Sequence, residues 1–216
     1  MHSNHILNFV EYDLQIIALS WLVIVYTYKA IQLSRLPMPW EKGEKRGQVG
    51  RGVLHSYGSI FMPWSMESSR KNKWRWLFFG LYHIAALVAI VNTFTYPFAP
   101  SFMTSGVRIL FSVLIAPAIL IGFIKLANRI RDPALRLVST PDDYFSLVTM
   151  QFFFFFAIMA LLTDGTGWRM AYFLITAFFL FYVPFSKISH YIYFFFARFF
   201  TGMRYGWRGV IPMKNN

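Results

Sequence analysis

Cysteine is absent from the 216-residue chain. That absence excludes disulfides, thiolate-held zinc, iron–sulfur clusters ligated by this chain and covalent c-type haem attachment. Charge is scarce as well: Asp, Glu, Lys and Arg make up 14% of the residues, against about a quarter in an average globular chain. Acidic residues are the scarcest, nine against 21 basic ones. There is no glycine-rich phosphate loop, no His-Glu-x-x-His zinc motif, no nucleophile elbow and no carboxylate pair inside an apolar stretch. No residue is therefore assigned a catalytic role. Internal repeats are also lacking.

What is present is apolar: 56% of residues are hydrophobic and 20% aromatic. A soluble fold could not cover so much apolar surface, and the net charge of +12 comes without a lysine-rich polar domain to offer a nucleic acid. Five stretches are long enough to cross a bilayer core of about 30 Å, which takes about 20 helical residues. They lie near residues 14–33, 76–97, 106–126, 144–162 and 168–189. The expected fold is all-α: a polytopic membrane helical bundle of five transmembrane helices, one domain over residues 1–216. The first stretch is too long for a signal peptide's apolar core, and the segment before it carries Glu11 and Asp13 but no Lys or Arg.

Nineteen of the 21 basic residues fall on one side of such a five-span chain, leaving only Arg108 and Arg169 on the other. The positive-inside rule then places the N-terminus outside and the C-terminus in the cytoplasm. The expected location is the cell's inner (cytoplasmic) membrane. Arg108 and Arg169 either snorkel or pair with Asp164, and Asp142 is expected near the N-cap of the fourth span. Residues 47–73 and 191–208 mix aromatic with basic residues. They read as interfacial anchors, or as a docking floor for a cytoplasmic subunit, in which case charge reversal at Arg204 and Arg208 should weaken its association.

Of the five histidines, His2, His5 and His55 read as solvated or surface groups. His83 lies inside the second span, about 10 Å in from Trp76, and an ionisable residue at that depth is a functional candidate. His190 is expected at the end of the fifth span, beyond a kink at Pro184. Two neutral imidazoles facing one another across a bundle can ligate a haem iron between apolar helices. The alternative is two unrelated histidines, one bonded to a carbonyl and one at the headgroups.

The segment Pro184-Phe185-Ser186-Lys187-Ile188-Ser189-His190, with its basic tail, resembles the end of the last span in gamma subunits of respiratory nitrate reductases. That family includes membrane cytochromes b that partner heterodisulfide-reductase-like iron–sulfur proteins. Leu81-Tyr82-His83 stands where the family's second span supplies the other axial ligand. The stretches Gly52–Tyr57 and Met62–Ser68 are similar to the interfacial segment of the iron–sulfur-partnered branch. The resemblance implies one haem b held by His83 and His190 on the cytoplasmic side. It also implies exchange with the quinone pool and a cytoplasmic iron–sulfur partner, with further subunits in the complex.

Many family members hold a second haem nearer the outer face, on histidines ten residues after the first ligand and eighteen before the last. Those positions are Thr93 and Tyr172 here, neither an ordinary haem ligand. The vacated pocket is then filled by aromatic packing, or it houses a quinone bonded by Tyr172 or Thr93. Three classes stand at this stage: a haem-containing electron-transfer subunit, a haem-free membrane anchor or assembly subunit, and a transporter. Transporters usually show broken helices or intramembrane ionisable residues around a midplane site, with internal repeats in many folds, and the five spans show little of this.

Overall fold

The computed structural model describes residues 2–37, 42–64 and 67–210. Ser65 and Met66 of the interfacial stretch lie outside these residues, as do Glu41 and Lys214. Among the described residues the chain is entirely helical, with 85% helix and no strand. Five helices are long and apolar enough to span a membrane: His5–Ser34, Lys73–Phe98, Ser105–Arg131, Pro141–Leu162 and Thr166–Phe185.

The first span is built from α1 (His2–Asn8), a π-helical turn (Phe9–Asp13) and α2 (Leu14–Ser34). It begins well before the expected residue 14. The polar residues Glu11, Asp13 and Gln15 obscure it in sequence, yet Glu11 and Gln15 are buried. The Gln15 amide donates to the Val10 carbonyl (3.0 Å) and to the Phe173 carbonyl of another span (2.8 Å). After α3 (Val49–Gly58) and α4 (Glu67–Lys71) come the second and third spans, α5 (Lys73–Phe98) and α6 (Ser105–Arg131). The Thr104 hydroxyl caps the start of α6 through the Val107 amide.

Asp132 caps α7 (Pro133–Val138), where Pro133 occupies a position that needs no amide hydrogen. The fourth span, α8 (Pro141–Leu162), starts on a capping box between Thr140 and Asp143. The N-cap itself is Thr140, and Asp142 lies in the first turn, near the cap as expected. Span five, α9 (Thr166–Tyr182), ends earlier than expected, because Pro184 cannot continue the ladder and 3-10 turns follow at Val183–Phe185 and Lys187–Ser189. His190 therefore does not end that span. It is the first residue of α10 (His190–Arg208).

Two compact units emerge: Met1–Ile24 with Leu77–Ile188, and Val25–Trp76 with Ser189–Asn216. In the first unit, small residues let helices approach closely. Ala85 and Ala89 of α5, Ala118 of α6, and Ala157 and Ala160 of α8 are all fully buried. Around them Ile115, Phe154, Leu161, Tyr172 and Phe173 fill the interior. Outward faces stay apolar, as Leu87, Val113 and Leu120 illustrate, which suits a helix whose solvent is lipid.

In the second unit, α3 and α10 run antiparallel with their backbones touching. A Cβ added at Gly52 would lie 2.2 Å from the Gly202 carbonyl oxygen and 2.5 Å from the Gly206 Cα. One added at Gly202 would lie 2.6 Å from the Val53 Cα. The Tyr57 hydroxyl donates to the Phe195 carbonyl at one end (2.6 Å), and at the other the Arg46 amide donates to the Trp207 carbonyl (2.9 Å). Gly209, in the left-handed region at φ 65°, closes α10 and lets Val210 donate back to the Tyr205 carbonyl. The two interfacial segments thus bury their closest faces on each other, while Leu54, Phe61 and Trp64 remain 74%, 78% and 68% exposed.

Candidate functional site

His83 lies on the second span with its Nδ1 2.7 Å from the Phe79 carbonyl oxygen, one helical turn back. A carbonyl only accepts, so Nδ1 carries the proton and the lone pair of the neutral ring is on Nε2. The Phe79 ring packs on the imidazole, 4.0 Å between centroids, and the residue as a whole is exposed. Neighbouring Tyr82 accepts from the Gln151 amide (3.3 Å) and lies beneath the Lys125 ammonium, 4.1 Å from its ring centroid. Gln151 fits there because position 122 is glycine: a Cβ would meet its Nε2 at 1.9 Å.

His190 belongs to the second unit and is exposed at the start of α10. The turn leading to it is firmly held within the first unit. Ser186 donates to the Val183 carbonyl (3.1 Å) and accepts from the Ile188 amide (3.1 Å). The Lys187 amide donates to Asp142 (2.8 Å), which also takes the Tyr182 hydroxyl. Asp143 pairs with the Lys187 ammonium and with Arg129 (3.2 Å). Asp142 and Asp143, at the start of the fourth span, thus fasten the Pro184–Ser189 segment.

Thr93 and Tyr172 are brought together. Their hydroxyls are 2.8 Å apart, and both lie within bonding distance of the Ala89 carbonyl, at 3.1 Å and 2.7 Å. Tyr172 is fully buried and stacks on Phe153. Its hydroxyl therefore has its partners within the chain, and any quinone bonding there would have to displace them. Beside it, Asn92 is wholly buried with its amide turned toward the Tyr172 hydroxyl.

A second polar group forms where the first and fifth spans begin. Arg108 pairs with Asp164 (3.2 Å) and donates to the Tyr96 hydroxyl (3.2 Å). Arg169 pairs instead with Glu11, donating from Nε (2.9 Å) and Nη2 (2.6 Å and 2.7 Å) to both carboxylate oxygens. Its guanidinium also lies 5.2 Å from the Tyr96 ring centroid. Sequence reading left Glu11 without a partner. The available signal was two acids, Glu11 and Asp13, and two arginines, Arg108 and Arg169, at ends of odd-numbered spans that share one membrane face. Glu11→Gln leaves the Arg169 charge half-matched, and thermal unfolding in detergent should record a loss of about 2 kcal/mol, below the fully buried case because Arg169 keeps some solvent. An unchanged transition would show the pair to be energetically idle.

His5 and His55 are exposed, and His2 opens α1. No group of three or more His, Asp or Glu among the described residues is arranged to hold a metal ion by itself. No family model matches the chain, and comparisons with curated proteins and with solved structures return no match.

Proposed function

We propose that the chain is a haem b-containing membrane subunit of a respiratory redox complex, in which His83 and His190 would be the imidazoles that hold the haem iron. One observation carries the reading: the Nδ1–H of His83 is given to the Phe79 carbonyl. Metal-ligating histidines almost always donate their other ring nitrogen in this way, which fixes the tautomer and raises the basicity of the ligating atom. The donor set is chemically suitable, since haem b takes two neutral imidazoles and needs neither cysteine nor an acidic ligand. When bound, the haem supplies one-electron transfer. The chain's own part is to offer Nε2 of His83 on a membrane-spanning helix, to fasten the turn before His190 through Asp142 and Asp143, and to exclude water with apolar helices.

Electrons would pass between the quinone pool and a cytoplasmic iron–sulfur subunit, because a chain without cysteine cannot carry the clusters itself. The likeness of Pro184–His190 and Leu81–His83 to nitrate reductase gamma subunits supports this reading. So does the charge asymmetry, which by the positive-inside rule favours an N-terminus outside and a C-terminus in the cytoplasm. The outer pair Thr93–Tyr172 leaves no second bis-histidine site. The test is the reduced-minus-oxidised spectrum and haem content of the purified intact protein. We expect a b-type spectrum and about one haem per chain. A colourless preparation would leave the haem-free anchor as the better reading, which the concentration of cations in the second unit favours. Two haems per chain would refute the loss of the outer site.

A further inference from the structure

We propose that the second unit is a binding surface for anionic phospholipid headgroups. Its two segments, Val25–Trp76 and Ser189–Asn216, hold fourteen basic and three acidic residues, +11 of the chain's +12. The first unit, with seven basic and six acidic residues, is nearly neutral. This partition is sharper than topology requires, since the first unit also turns at the same membrane face through Arg129, Arg131 and Arg136.

The unit is attached by helices that cross the membrane. α2 and α5 each run through the boundary between units, and α10 follows the end of the fifth span. Five single crossings put all three attachments on one membrane face, at headgroup depth. Aromatic residues are favoured at that level, and each well-placed cation there gains from anionic lipid.

α10 is patterned for this position. Its glycines Gly202 and Gly206 face α3. Next around the helix, within about 80° at 100° per residue, come Ile192, Phe196, Phe200, Met203 and Trp207, all half-buried. Arg198, Arg204 and Arg208 occupy a separate arc of about 120°. An apolar arc beside a cationic one is the pattern of a helix lying in the interface plane. Several cations stand over rings: Arg198 over Phe194 (5.5 Å), Lys45 over Trp207 (5.9 Å) and Lys29 over Tyr193 (5.8 Å). Stacking engages the face of a guanidinium, whereas phosphodiester oxygens accept from its edge, so both contacts fit the same arginine. An acidic protein would match the charge but not the exposed Leu54, Phe61 and Trp64 beside it.

The experiment uses the intact protein in neutral detergent, titrated with phosphatidylglycerol or phosphatidylcholine in mixed micelles. Thermal unfolding and retained lipid, counted by native mass spectrometry, are the readouts. Phosphatidylglycerol should raise the melting temperature and remain bound, phosphatidylcholine should do neither, and high salt should erase the difference. Arg198→Gln, Arg204→Gln and Arg208→Gln should each weaken phosphatidylglycerol retention about 5-fold, while Arg136→Gln in the first unit should not. Equal retention of the two lipids by the unsubstituted protein overturns the proposal, and that comparison needs no variant to fold. An equal loss with Arg136→Gln would mean diffuse attraction rather than a surface. Loss of a co-purifying subunit with lipid retention unchanged would make this a protein-docking face.

Discussion

Exchanging Gly52 for leucine should force α3 and α10 apart, at a cost of about 3 kcal/mol or more. Even the first carbon of a side chain at this position would lie 2.2 Å from the Gly202 carbonyl oxygen and 2.5 Å from the Gly206 Cα. Both are main-chain atoms of a hydrogen-bonded helix, so neither can swing aside. Because the chain has no cysteine, a single Ser56→Cys provides a clean probe of the seam, where Ser56 is buried. We expect slow thiol labelling in the Ser56→Cys protein and fast labelling once Gly52→Leu is added. Continued protection would show that the seam tolerates a side chain and that the backbone contact is not what joins the helices. Gly122→Ala is the informative contrast. Its obstacle is the far end of the Gln151 side chain, which can turn away, so the cost should be only the bond to Tyr82, about 1 kcal/mol.

Either His83→Ala or His190→Ala should abolish the haem spectrum of the purified protein, whereas alanine at His2, His5 or His55 should leave it intact. The asymmetry is chemical. A bis-imidazole site loses half its ligand set with one substitution, and a chain without cysteine has no thiolate to stand in for it. Phe79→Ala is the subtler companion, since it keeps the carbonyl that accepts from His83 Nδ1 and removes only the packed ring. Haem should persist there with an altered spectrum. Added imidazole should restore the spectrum of a histidine-to-glycine variant if the histidine acts as a ligand, and should not if it acts by supporting the fold. A histidine whose removal leaves the spectrum unchanged is not an axial ligand.

The five spans were legible because their signal is length and apolarity, which needs no knowledge of partners. Their ends were not, for reasons that differ by element. At the start of the first span, Glu11 and Gln15 look like water-facing residues until Arg169 and the Phe173 carbonyl arrive from another helix. At the end of the fifth, Pro184 announced a break, but the length of the 3-10 connection that carries the chain to His190 depended on Asp142 holding the Lys187 amide. Thr93 and Tyr172 were singled out by the resemblance, as the positions where family members carry an outer pair of histidines, and their hydroxyls do meet. Asn92 went unnoticed beside Thr93, although an amide inside a span is itself a signal. The pairing of α3 with α10 is long-range, and its mark was the spacing of Gly202 and Gly206, which reads as a seam only when a second glycine-bearing helix is known to face it.

The π-helical turn at Phe9–Asp13 has a consequence for how the chain tolerates insertion and deletion. A π turn takes up one residue more than an α turn, and here the surplus lets neighbours Val10 and Glu11 both be buried. Loss of one residue from this turn, for instance the exposed Phe9, would let the segment close into ordinary α-helix. Five π residues turn through about the same angle as four α residues, so Leu7 before the turn and Gln15 and Ala18 after it would all keep their faces. The first span therefore has a point at which its length can change by one residue with the damage confined to the turn itself. The same deletion anywhere between Gln15 and Ile24 would turn one end of the helix against the other.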